Sequence, residues 1–528
     1  MFDFNFFSFS SKDSKPESFL IGVAFTSDSM VKGDNGLKSY RSVHGQLFDK
    51  VNGGRFLLIE QVAEQVVVRT DPMGQDTIFL YQDDDVWIVS NSLLKVSEKL
   101  SSLGINPQPD YSAMAIYRTG QLGLNGGQII SPATPIAGVR LLQADEYIRI
   151  DYSLIQPRLE VHQINTPQPN VLSYNEALMA YLTTSLSRTC VLLKGDNANI
   201  SLSGGIDSRA CLAFLTCGAI DKKKVNIVTN KSDLEELPIA QKLAEVTGVG
   251  ISPSGKTKKI NIKDHRLAVR LALLGSAGVY ASLVPVANIT LKPLTKVHGG
   301  SVIGAGYMRS TFREKTNKLK KKYGEDGERV SFELERALTF LGVSVGDPMA
   351  LFHHYRSYRA RLHYGRSSAT SLVSEYYMPL IDMGLVAACN ASTKKYIEGN
   401  GVTRDIISVL NSSLLNVRFD QTNKVKVALK KLPQLDLKNI PELKVYSGNE
   451  CRREVDCSKS STTCDKPFHF STVIADNSLF LRQLGFNQHY IESALQEVDN
   501  GNQKLKKSAV LIGLIALLKK NELGISED

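Results

Sequence analysis

Residues 198–209, which read Ala-Asn-Ile-Ser-Leu-Ser-Gly-Gly-Ile-Asp-Ser-Arg, decide the fold of this chain. The apolar run at 198–202 predicts a strand, and the pattern of 208–216 predicts a helix. Between them, Gly204 and Gly205 lack a Cβ, so backbone amides can approach an anion closely. The helix that follows would turn its unpaired N–H groups and the positive end of its dipole towards that anion. We therefore expect an anion-binding turn between a strand and a helix.

The polar side chains of this turn indicate which anion it binds. Ser203 and Ser208 add hydroxyl donors, whereas Asp207 would repel phosphates unless a Mg²⁺ ion lay between them. The sequence thus predicts a loop for a metal-bound polyphosphate, with Asp207 as the metal ligand. It is not a Walker loop, because the Gly-Lys-Ser/Thr ending is absent. The plainer alternative is an ordinary glycine-rich turn without a ligand.

The chain around this loop divides into two parts with different patterns. Beyond residue 174 strands alternate with helices, which predicts a parallel α/β sheet, and beyond residue 331 helices dominate. The predicted elements of this part lie at 198–202, 208–216, 225–229 and 234–246. Residues 18–150 predict a strand-dominated α+β half with one helix at 111–117. Its strands are expected at 19–25, 54–60, 65–69, 77–81, 86–90 and 140–151, and residues 157–169 have the composition of a linker.

Length and composition narrow the class of protein. The 528 residues, 42% of them hydrophobic, suffice for ordinary cores, so stability requires neither disulfides nor a structural metal. The net charge of +10 and the pI near 9.0 favour anionic partners such as nucleotides, although a solvated basic surface is the plainer explanation. The seven cysteines form no paired secreted-type framework, and the N-terminus has no signal-peptide pattern. Since no apolar run exceeds about ten residues, we expect a cytoplasmic protein without a membrane span.

Four further stretches carry motifs that belong with the glycine loop. Residues 296–300 read Lys-Val-His-Gly-Gly, and residues 377–382 read Tyr-Met-Pro-Leu-Ile-Asp. Residues 403–407 read Thr-Arg-Asp-Ile-Ile, and residues 69–74, in the first half, read Arg-Thr-Asp-Pro-Met-Gly. The loop itself is similar to the signature loop of the N-type ATP pyrophosphatases. With the other stretches, the chain resembles the asparagine synthetase family over nearly its whole length.

This resemblance implies an architecture and a reaction. The expected fold is an α+β N-terminal Ntn-hydrolase-like sandwich at 1–160, a degenerate glutamine amidotransferase-like domain. It is followed at 170–528 by an α/β parallel-sheet synthetase domain of the adenine nucleotide α-hydrolase type, with a helical C-terminal part. In the family the loop holds the pyrophosphate of ATP, the synthetase domain adenylates a carboxylate, and an amine then displaces AMP. The resemblance therefore implies ATP and Mg²⁺ as cofactors.

The resemblance also assigns roles to individual residues. Nucleotide binding falls to Leu202, Ser203, Gly204, Gly205, Asp207, Ser208, Gly299 and Gly300. Lys424 lies, with Lys426, where relatives carry a catalytic lysine, the alternative being a surface lysine. His298 is a candidate general base or phosphate ligand, the alternative being a loop histidine whose hydrogen bonds are satisfied.

Three departures from the family bear on activity. Phe2 stands where the glutaminase has its nucleophilic cysteine, so glutamine hydrolysis is not expected. Residues 298–303 read His-Gly-Gly-Ser-Val-Ile, where the family usually has Gly-Glu-Gly-x-Asp-Glu, so this loop supplies no carboxylate. Arg209 replaces a small residue, and it would either bind an anionic substrate or pair with a neighbour on its own helix.

The function predicted from these features is an ATP-dependent, AMP-forming amide ligase without glutaminase activity. Its partners would be a small-molecule or peptide carboxylate and ammonia or an amine, with a possible peptide-binding partner protein and no nucleic acid. The expected settings are natural-product or peptide cyclisation, as in the β-lactam synthetases and lasso-peptide cyclases, or amidation of surface polysaccharide. The main alternative is a nucleotide-binding pseudoenzyme or assembly subunit. A third, nucleic-acid modification by an adenylating enzyme of this loop class, fits the charge but fits the degenerate amidotransferase half poorly.

Two further stretches of the sequence give weaker functional signals. Cys451, Cys457, Cys464 and His469 form a conceivable zinc set, although their spacing lacks a Cys-x-x-Cys knuckle. The basic run at 315–322 is expected to be a mobile solvated loop, with contact to an acidic substrate, a carrier or RNA as the alternative.

Overall fold

A computed structural model describes most of the chain as a mixed α/β molecule with several sheets and a helical C-terminal part. The described residues are 6–119, 128–164, 172–194, 197–230, 234–254, 270, 273–275, 295–365, 376–420, 427–448, 469–500 and 507–519. The strands are β1 (Ser8–Ser10), β2 (Phe19–Phe25), β3 (Ser29–Lys32), β4 (Gly53–Val62), β5 (Gln65–Thr70), β6 (Phe79–Gln82), β7 (Trp87–Ser90), β8 (Val139–Leu141), β9 (Glu146–Asp151), β10 (Arg158–Gln163), β11 (Ala198–Ser201), β12 (Val225–Asn230), β13 (Gly250–Ser254), β14 (Thr295–Val297), β15 (Tyr376–Tyr377) and β16 (Lys444–Tyr446).

The helices fall into a sparse set in the first half and a dense set after it. The α-helices are Gly33–His44, Leu93–Ser102, Ala115–Arg118, Tyr174–Leu192, Ile206–Thr216, Glu236–Thr247, Phe312–Phe340, Ala350–His354, Arg361–Tyr364, Met383–Asn390, Lys394–Glu398, Gly401–Asn411, Phe470–Asp476, Ser478–Gln483, Gln488–Asp499 and Lys507–Leu518. Short 3₁₀ helices lie at Lys222–Lys224, Ser412–Asn416 and Leu437–Asn439, and a π-helical stretch lies at Tyr355–Ala360.

Two sheets face each other in the first half. One has four strands in the order β1-β7-β6-β8, and the other has seven in the order β10-β9-β5-β4-β2-β3-β16. Along β9, buried and half-buried residues alternate, as expected for a strand with one face on a core. Apolar side chains from both sheets, including Leu57 and Ile59 from one and Leu80 and Val89 from the other, pack together. The prediction of a strand-dominated first half is therefore confirmed.

Some predicted boundaries in this half are wrong. The run at 140–151 is two strands, β8 and β9, because the chain turns between them with a bond from Glu146 N–H to the Gln143 carbonyl. Much of the supposed linker at 157–169 is β10, which pairs antiparallel with β9 and buries Leu159. Residues 165–171 lie outside the described part. The first-half helix predicted at 111–117 is the shorter Ala115–Arg118.

The second half is built on a parallel sheet, as predicted. Its five strands have the order β13-β12-β11-β14-β15, and every pairing is parallel. From β11 at the centre, the chain moves outward to β12 and β13, then returns to add β14 and β15 on the other side. This reversal creates a topological switch point between β11 and β14. Helices Tyr174–Leu192, Ile206–Thr216 and Glu236–Thr247 contribute to the core around the sheet.

The two halves share one apolar core and one sheet. Residues such as Phe79 and Ile88 pack in the same cluster as Leu334 and Leu511. The strand β16 joins the seven-stranded sheet of the first half by pairing parallel with β3. The predicted division between residues 160 and 170 stays a prediction, and extensive contacts cross it.

The C-terminal helices correct one expectation about the surface. The basic run 315–322 is not a loop, because it lies in the Phe312–Phe340 helix, which is broken at Gly324 with φ of +53°. Lys318 and Lys320 are exposed there, whereas Lys315 is buried. Among the helices of the described ranges, including the apolar Lys507–Leu518, none is both long and apolar enough to span a bilayer.

Candidate functional site

Two loops leave neighbouring strands at the same edge of the parallel sheet. Strand β11 ends at Ser201 and β14 ends at Val297, and Ile200 pairs directly with Val297. The loops 202–205 and 298–306 therefore begin side by side at the carboxyl ends of the two strands. In open α/β sheets, ligands bind in the crevice at such a switch point. The topology thus marks this crevice as the candidate site.

The first loop is shaped by its own serines. The Ser203 hydroxyl accepts a hydrogen bond from the Gly205 amide at 3.2 Å and lies 3.2 Å from the Ser208 hydroxyl. The Ser208 hydroxyl is within 3.1 Å of the carbonyl oxygens of both Ser203 and Gly205. Gly205 occupies the N-cap position of the Ile206–Thr216 helix and has no side chain with which to cap it. The N-terminus of this helix, with the positive end of its dipole, therefore lies at the first loop.

The second loop packs directly on this helix end. A Cβ added to Gly299 would lie 2.7 Å from the amide nitrogen of Ser208, so only glycine allows the observed approach. Gly300 is similarly tight against the ring of Tyr364. The Cys211 thiol donates to the His298 carbonyl oxygen at 3.2 Å. The structure therefore brings the predicted residues 203–208 and 299–300 together.

Asp207 lies in the first helical turn, close to the second loop. Burial, followed by the charge of Asp207, raises the pKa of the Cys211 thiol well above its usual value. Burial, contacts with Tyr364 and then the charge of Asp207 likewise raise the pKa of Tyr355. The Tyr355 hydroxyl donates at 3.0 Å to the carbonyl oxygen of Ser301 in the second loop. Within the described ranges, no group of three or more His, Cys, Asp or Glu side chains is arranged to hold a metal, so Asp207 as a ligand stays a prediction.

The remaining predicted residues differ in their positions. The ring of half-buried His298 stacks on Tyr376, with ring centroids 4.6 Å apart, at the start of the second loop. The Leu202 side chain is buried in the core, so only its backbone could contact a nucleotide. Lys424 and Lys426 lie outside the described residues, as do Phe2 and the three cysteines of the conceivable zinc set. His469, the fourth member of that set, precedes the Phe470–Asp476 helix.

The sequence did not indicate that the 414–420 segment contacts the first loop. The Asp420 amide donates to the Gly204 carbonyl oxygen at 3.2 Å. Neither alternative for Arg209 was right, because its guanidinium binds backbone carbonyl oxygens more than 200 residues away. A local pattern contains no signal for such a distant contact.

Asp405, in the 403–407 motif, is held by hydrogen bonds from three other residues. The hydroxyls of Tyr174 and Tyr396 each donate to one Asp405 oxygen at 2.7 Å, and the Lys430 amide donates to the other at 3.2 Å. The Lys430 ammonium lies 3.6 Å from the centroid of the Tyr174 ring. Burial raises the pKa of Asp405, although these hydrogen bonds oppose that shift. Asp405 thus fixes the chain at Lys430 to the Gly401–Asn411 helix.

A buried amine lies behind the second loop. Lys315 is 6% exposed, and among the described residues its Nζ has no hydrogen-bond partner. The Nζ lies 3.6 Å from the centroid of the Tyr307 ring, and Tyr307 shares a 2.9 Å hydrogen bond with His354 Nδ1. His354 Nε2 lies 2.8 Å from the Ile130 carbonyl, so Nε2 carries the proton and Nδ1 accepts. Burial lowers the pKa of Lys315 to about 7.

Replacing Lys315 with methionine should raise the free energy of unfolding at neutral pH by on the order of 1–3 kcal/mol. Below pH 7 the folded and unfolded chains both hold the proton, so folding bears the whole cost of burying the charge. From about 7, the folded pKa, towards about 10.4 in the unfolded chain, the unfolded state binds more protons, and stability rises with pH. Lys315→Met should lack that rise.

The measurement is denaturant unfolding at several pH values between about 6 and 10. Lys318→Met, on the exposed surface of the same helix, is the matched control and should leave the pH slope unchanged. If the stability of Lys315→Met rose with pH as steeply as that of the wild-type protein, the lowered pKa assigned to Lys315 would be wrong.

Comparisons with known proteins give no family for this chain. No protein-family model matches it, and no curated protein sequence is significantly similar to it.

Proposed function

We propose that the chain is an ATP-dependent amide ligase that adenylates a carboxylate and couples it to ammonia or an amine, releasing AMP and pyrophosphate. One observation carries the proposal. The Ser203–Ser208 turn and the Gly299–Gly300 loop meet at the switch point of a parallel sheet. The resemblance of those stretches to the asparagine synthetase family supplies the reaction class. The Ntn-hydrolase-like and adenine nucleotide α-hydrolase-like assignments of the two halves belong to the same proposal.

The residues present fit a metal-bound polyphosphate. The Ile206–Thr216 helix begins directly after Gly205, so its N-terminus and the positive end of its dipole lie at the loop, where they favour an anion. Asp207 would hold Mg²⁺, which when bound neutralises phosphate charge and polarises the phosphoryl group. Together with Gly299 and Gly300, these groups would orient the triphosphate.

The proposed reaction has two displacements. A carboxylate oxygen attacks the α-phosphorus of ATP, and the bond to pyrophosphate breaks. The amine nitrogen then attacks the acyl carbon, AMP leaves, and the amine loses a proton. His298 is the proposed acceptor of that proton, and Lys424 the proposed stabiliser of the developing negative charge. Because Phe2 replaces the glutaminase nucleophile, the nitrogen would come from ammonia or from an amine on a substrate.

The substrates and setting are part of the same proposal. A small-molecule or peptide carboxylate suits a cytoplasmic enzyme of natural-product or peptide cyclisation, or of surface-polysaccharide amidation, with a possible peptide-binding partner protein. A second candidate is a nucleotide-binding pseudoenzyme or assembly subunit. The observation that favours it is the second loop, where residues 298–303 contain no carboxylate.

Replacing Asp207 or Ser203 with alanine should weaken binding of ATP in excess Mg²⁺ at least about tenfold, or roughly 1.4 kcal/mol. Asp207→Ala removes the proposed metal ligand, and Ser203→Ala removes the hydroxyl that fixes the Gly205 amide. Calorimetric titration of each variant beside the wild-type protein measures the effect. Asp221→Ala is the control, because Asp221 caps a short exposed turn before β12.

Three outcomes distinguish the candidates. Selective loss of binding in Asp207→Ala and Ser203→Ala supports the site and justifies screening carboxylates and amines for AMP release. Selective loss without AMP release from any substrate pair favours the pseudoenzyme. A folded wild-type protein that binds no ATP contradicts both.

A further inference from the structure

Arg209 is a fully buried cation in the first turns of the Ile206–Thr216 helix, which follows the first loop (residues 202–205). Its Nη1 donates to the carbonyl oxygens of Leu414 at 3.1 Å and Val417 at 2.5 Å, and its Nη2 donates to that of Arg418 at 2.6 Å. The guanidinium carbon lies 3.7 Å from the centroid of the Phe419 ring. One side chain thus binds four of the six residues between 414 and 419.

Two of these contacts, with the carbonyl oxygens of Leu414 and Val417, lie at the end of another helix. The Gly401–Asn411 helix continues into the 3₁₀ helix Ser412–Asn416, and terminal carbonyl groups of a helix lack partners within it. The planar guanidinium donates several hydrogen bonds in a fixed geometry, which a lysine ammonium cannot reproduce. Burial lowers the pKa of Arg209 to about 10, with the charge of Asp420 opposing this shift, so the group stays charged at neutral pH.

The segment that Arg209 binds, residues 414–420, contacts the first loop at its last residue. Asp420, the residue after Phe419, donates its amide hydrogen to the Gly204 carbonyl oxygen at 3.2 Å. A Cβ added to Gly204 would lie 2.6 Å from the Asp420 Cβ, so the two residues are in close contact. The loop therefore contacts two separate chain segments, Asp420 at Gly204 and Gly299 at Ser208.

We propose that Arg209 is a positioning residue of the proposed phosphate site. Its side chain holds residues 414–420 in place against Gly204 before the ligand binds. This inference rests on the proposed function, because it assumes that the loop binds a polyphosphate. Because residues 414–420 are already ordered, ligand binding has to order less of the site, and the entropy cost of binding is smaller. Arg209 itself acts from inside the core and need not contact the ligand.

The test compares Arg209→Met with Arg118→Met in the full-length protein. Arg118 is the matched control, because it is also largely buried and donates to the Leu484 carbonyl at the end of the Ser478–Gln483 helix, 3.1 Å away. Two measurements are made on each variant. The first is amide hydrogen exchange over residues 414–420, and the second is calorimetric affinity for inorganic pyrophosphate with Mg²⁺.

In Arg209→Met we expect faster exchange over 414–420 and an affinity for Mg²⁺-pyrophosphate at least about tenfold lower, or about 1.4 kcal/mol. Arg118→Met should change neither, even if it lowers thermal stability equally. Arg209→Lys should recover only part of the affinity, because lysine keeps the charge but lacks the planar fork of donors that binds the three carbonyl oxygens. Phe419→Leu, which keeps the guanidinium and its hydrogen bonds, is the milder variant should Arg209→Met fail to fold, and it should produce a smaller change in the same direction.

The outcomes separate this inference from the proposed function. Unchanged pyrophosphate affinity in Arg209→Met, or in Phe419→Leu despite faster exchange over 414–420, would overturn the positioning role alone. A folded wild-type protein that binds no pyrophosphate would overturn the proposed function, and with it the role assigned to Arg209.

Discussion

Replacing Arg361 with methionine is expected to lower the free energy of unfolding by about 3–5 kcal/mol, because the substitution leaves buried polar groups of the first half without their partner. Arg361 is 1% exposed and extends from the second half into the first. Its Nε donates to the Gly74 carbonyl oxygen at 2.6 Å, and its Nη1 donates to that of Leu142 at 2.7 Å. Methionine fills similar space but donates no hydrogen bond.

A buried carboxylate beside Arg361 increases the loss. Asp71 accepts the amides of Met73, Gln75 and Asp76, and it is fully buried. Burial raises its pKa to about 6, with the charge of Arg361 opposing the shift. Without that charge the pKa of Asp71 should rise further, and at neutral pH the folded state would bear the cost.

The pH dependence of Arg361→Met follows from that shift. An acid whose pKa is raised on folding binds its proton more tightly in the folded state, so acidification stabilises the fold. In the wild-type protein Asp71 is protonated below about pH 6, and in the variant it is protonated already at higher pH. The part of the deficit due to Asp71 should therefore vanish below about pH 6.

Denaturant unfolding at neutral and mildly acidic pH measures both effects. Arg329→Met is the control, because Arg329 and Glu325 form an exposed pair that should contribute less than about 1 kcal/mol. A loss in Arg361→Met no larger than in this control would contradict the assigned role.

Replacing Gly299 with alanine should lower the affinity for Mg²⁺-bound ATP on the order of 100-fold. The new Cβ would lie 2.7 Å from the nitrogen and 2.9 Å from the Cα of Ser208, and backbone atoms of a helix cannot move aside cheaply. The second loop must then shift away from the helix end, and the proposed ligand loses hydrogen bonds that are each worth roughly 1.5–3 kcal/mol. Overpacking should also cost about 1–3 kcal/mol of stability.

Gly306→Ala is the matched control in the same loop, since no atom lies within 4 Å of a Cβ built there. Calorimetric titration and thermal unfolding of the two variants measure the affinity and the stability. If Gly299→Ala and Gly306→Ala behaved alike, the contact between the second loop and Ser208 would have no part in binding.

The local sequence pattern predicted those strands and helices whose formation depends mainly on neighbouring residues. The strand at 19–25 has the predicted boundaries, and the strand–loop–helix at 198–216 forms where the glycines and the change of periodicity place it. Residues 158–163 were mistaken for a linker, because alternation in β10 is weak and its pairing with β9 supplies the order. An edge strand with one buried side chain leaves little trace in composition.

The site was predictable only in part. The glycines of both loops follow from motifs, but their meeting depends on β14 pairing with β11, a contact between strands far apart in sequence. Arg209 and Asp420 could not have been connected from sequence, because each meets its partner across some 200 residues. The burial of Lys315 within a run of lysines was hidden for a related reason, since helix packing selects one of several identical side chains.

The pairing of β16 with β3 has a consequence for synthesis of the chain. A ribosome completes β3 at residue 32 but does not complete β16 until residue 446. At roughly 5–20 residues per second, this edge of the first sheet lacks its neighbour for tens of seconds. An open edge is a template for pairing with another chain. The edge at β3 therefore stays open to another chain until the distant segment of the same polypeptide has been made.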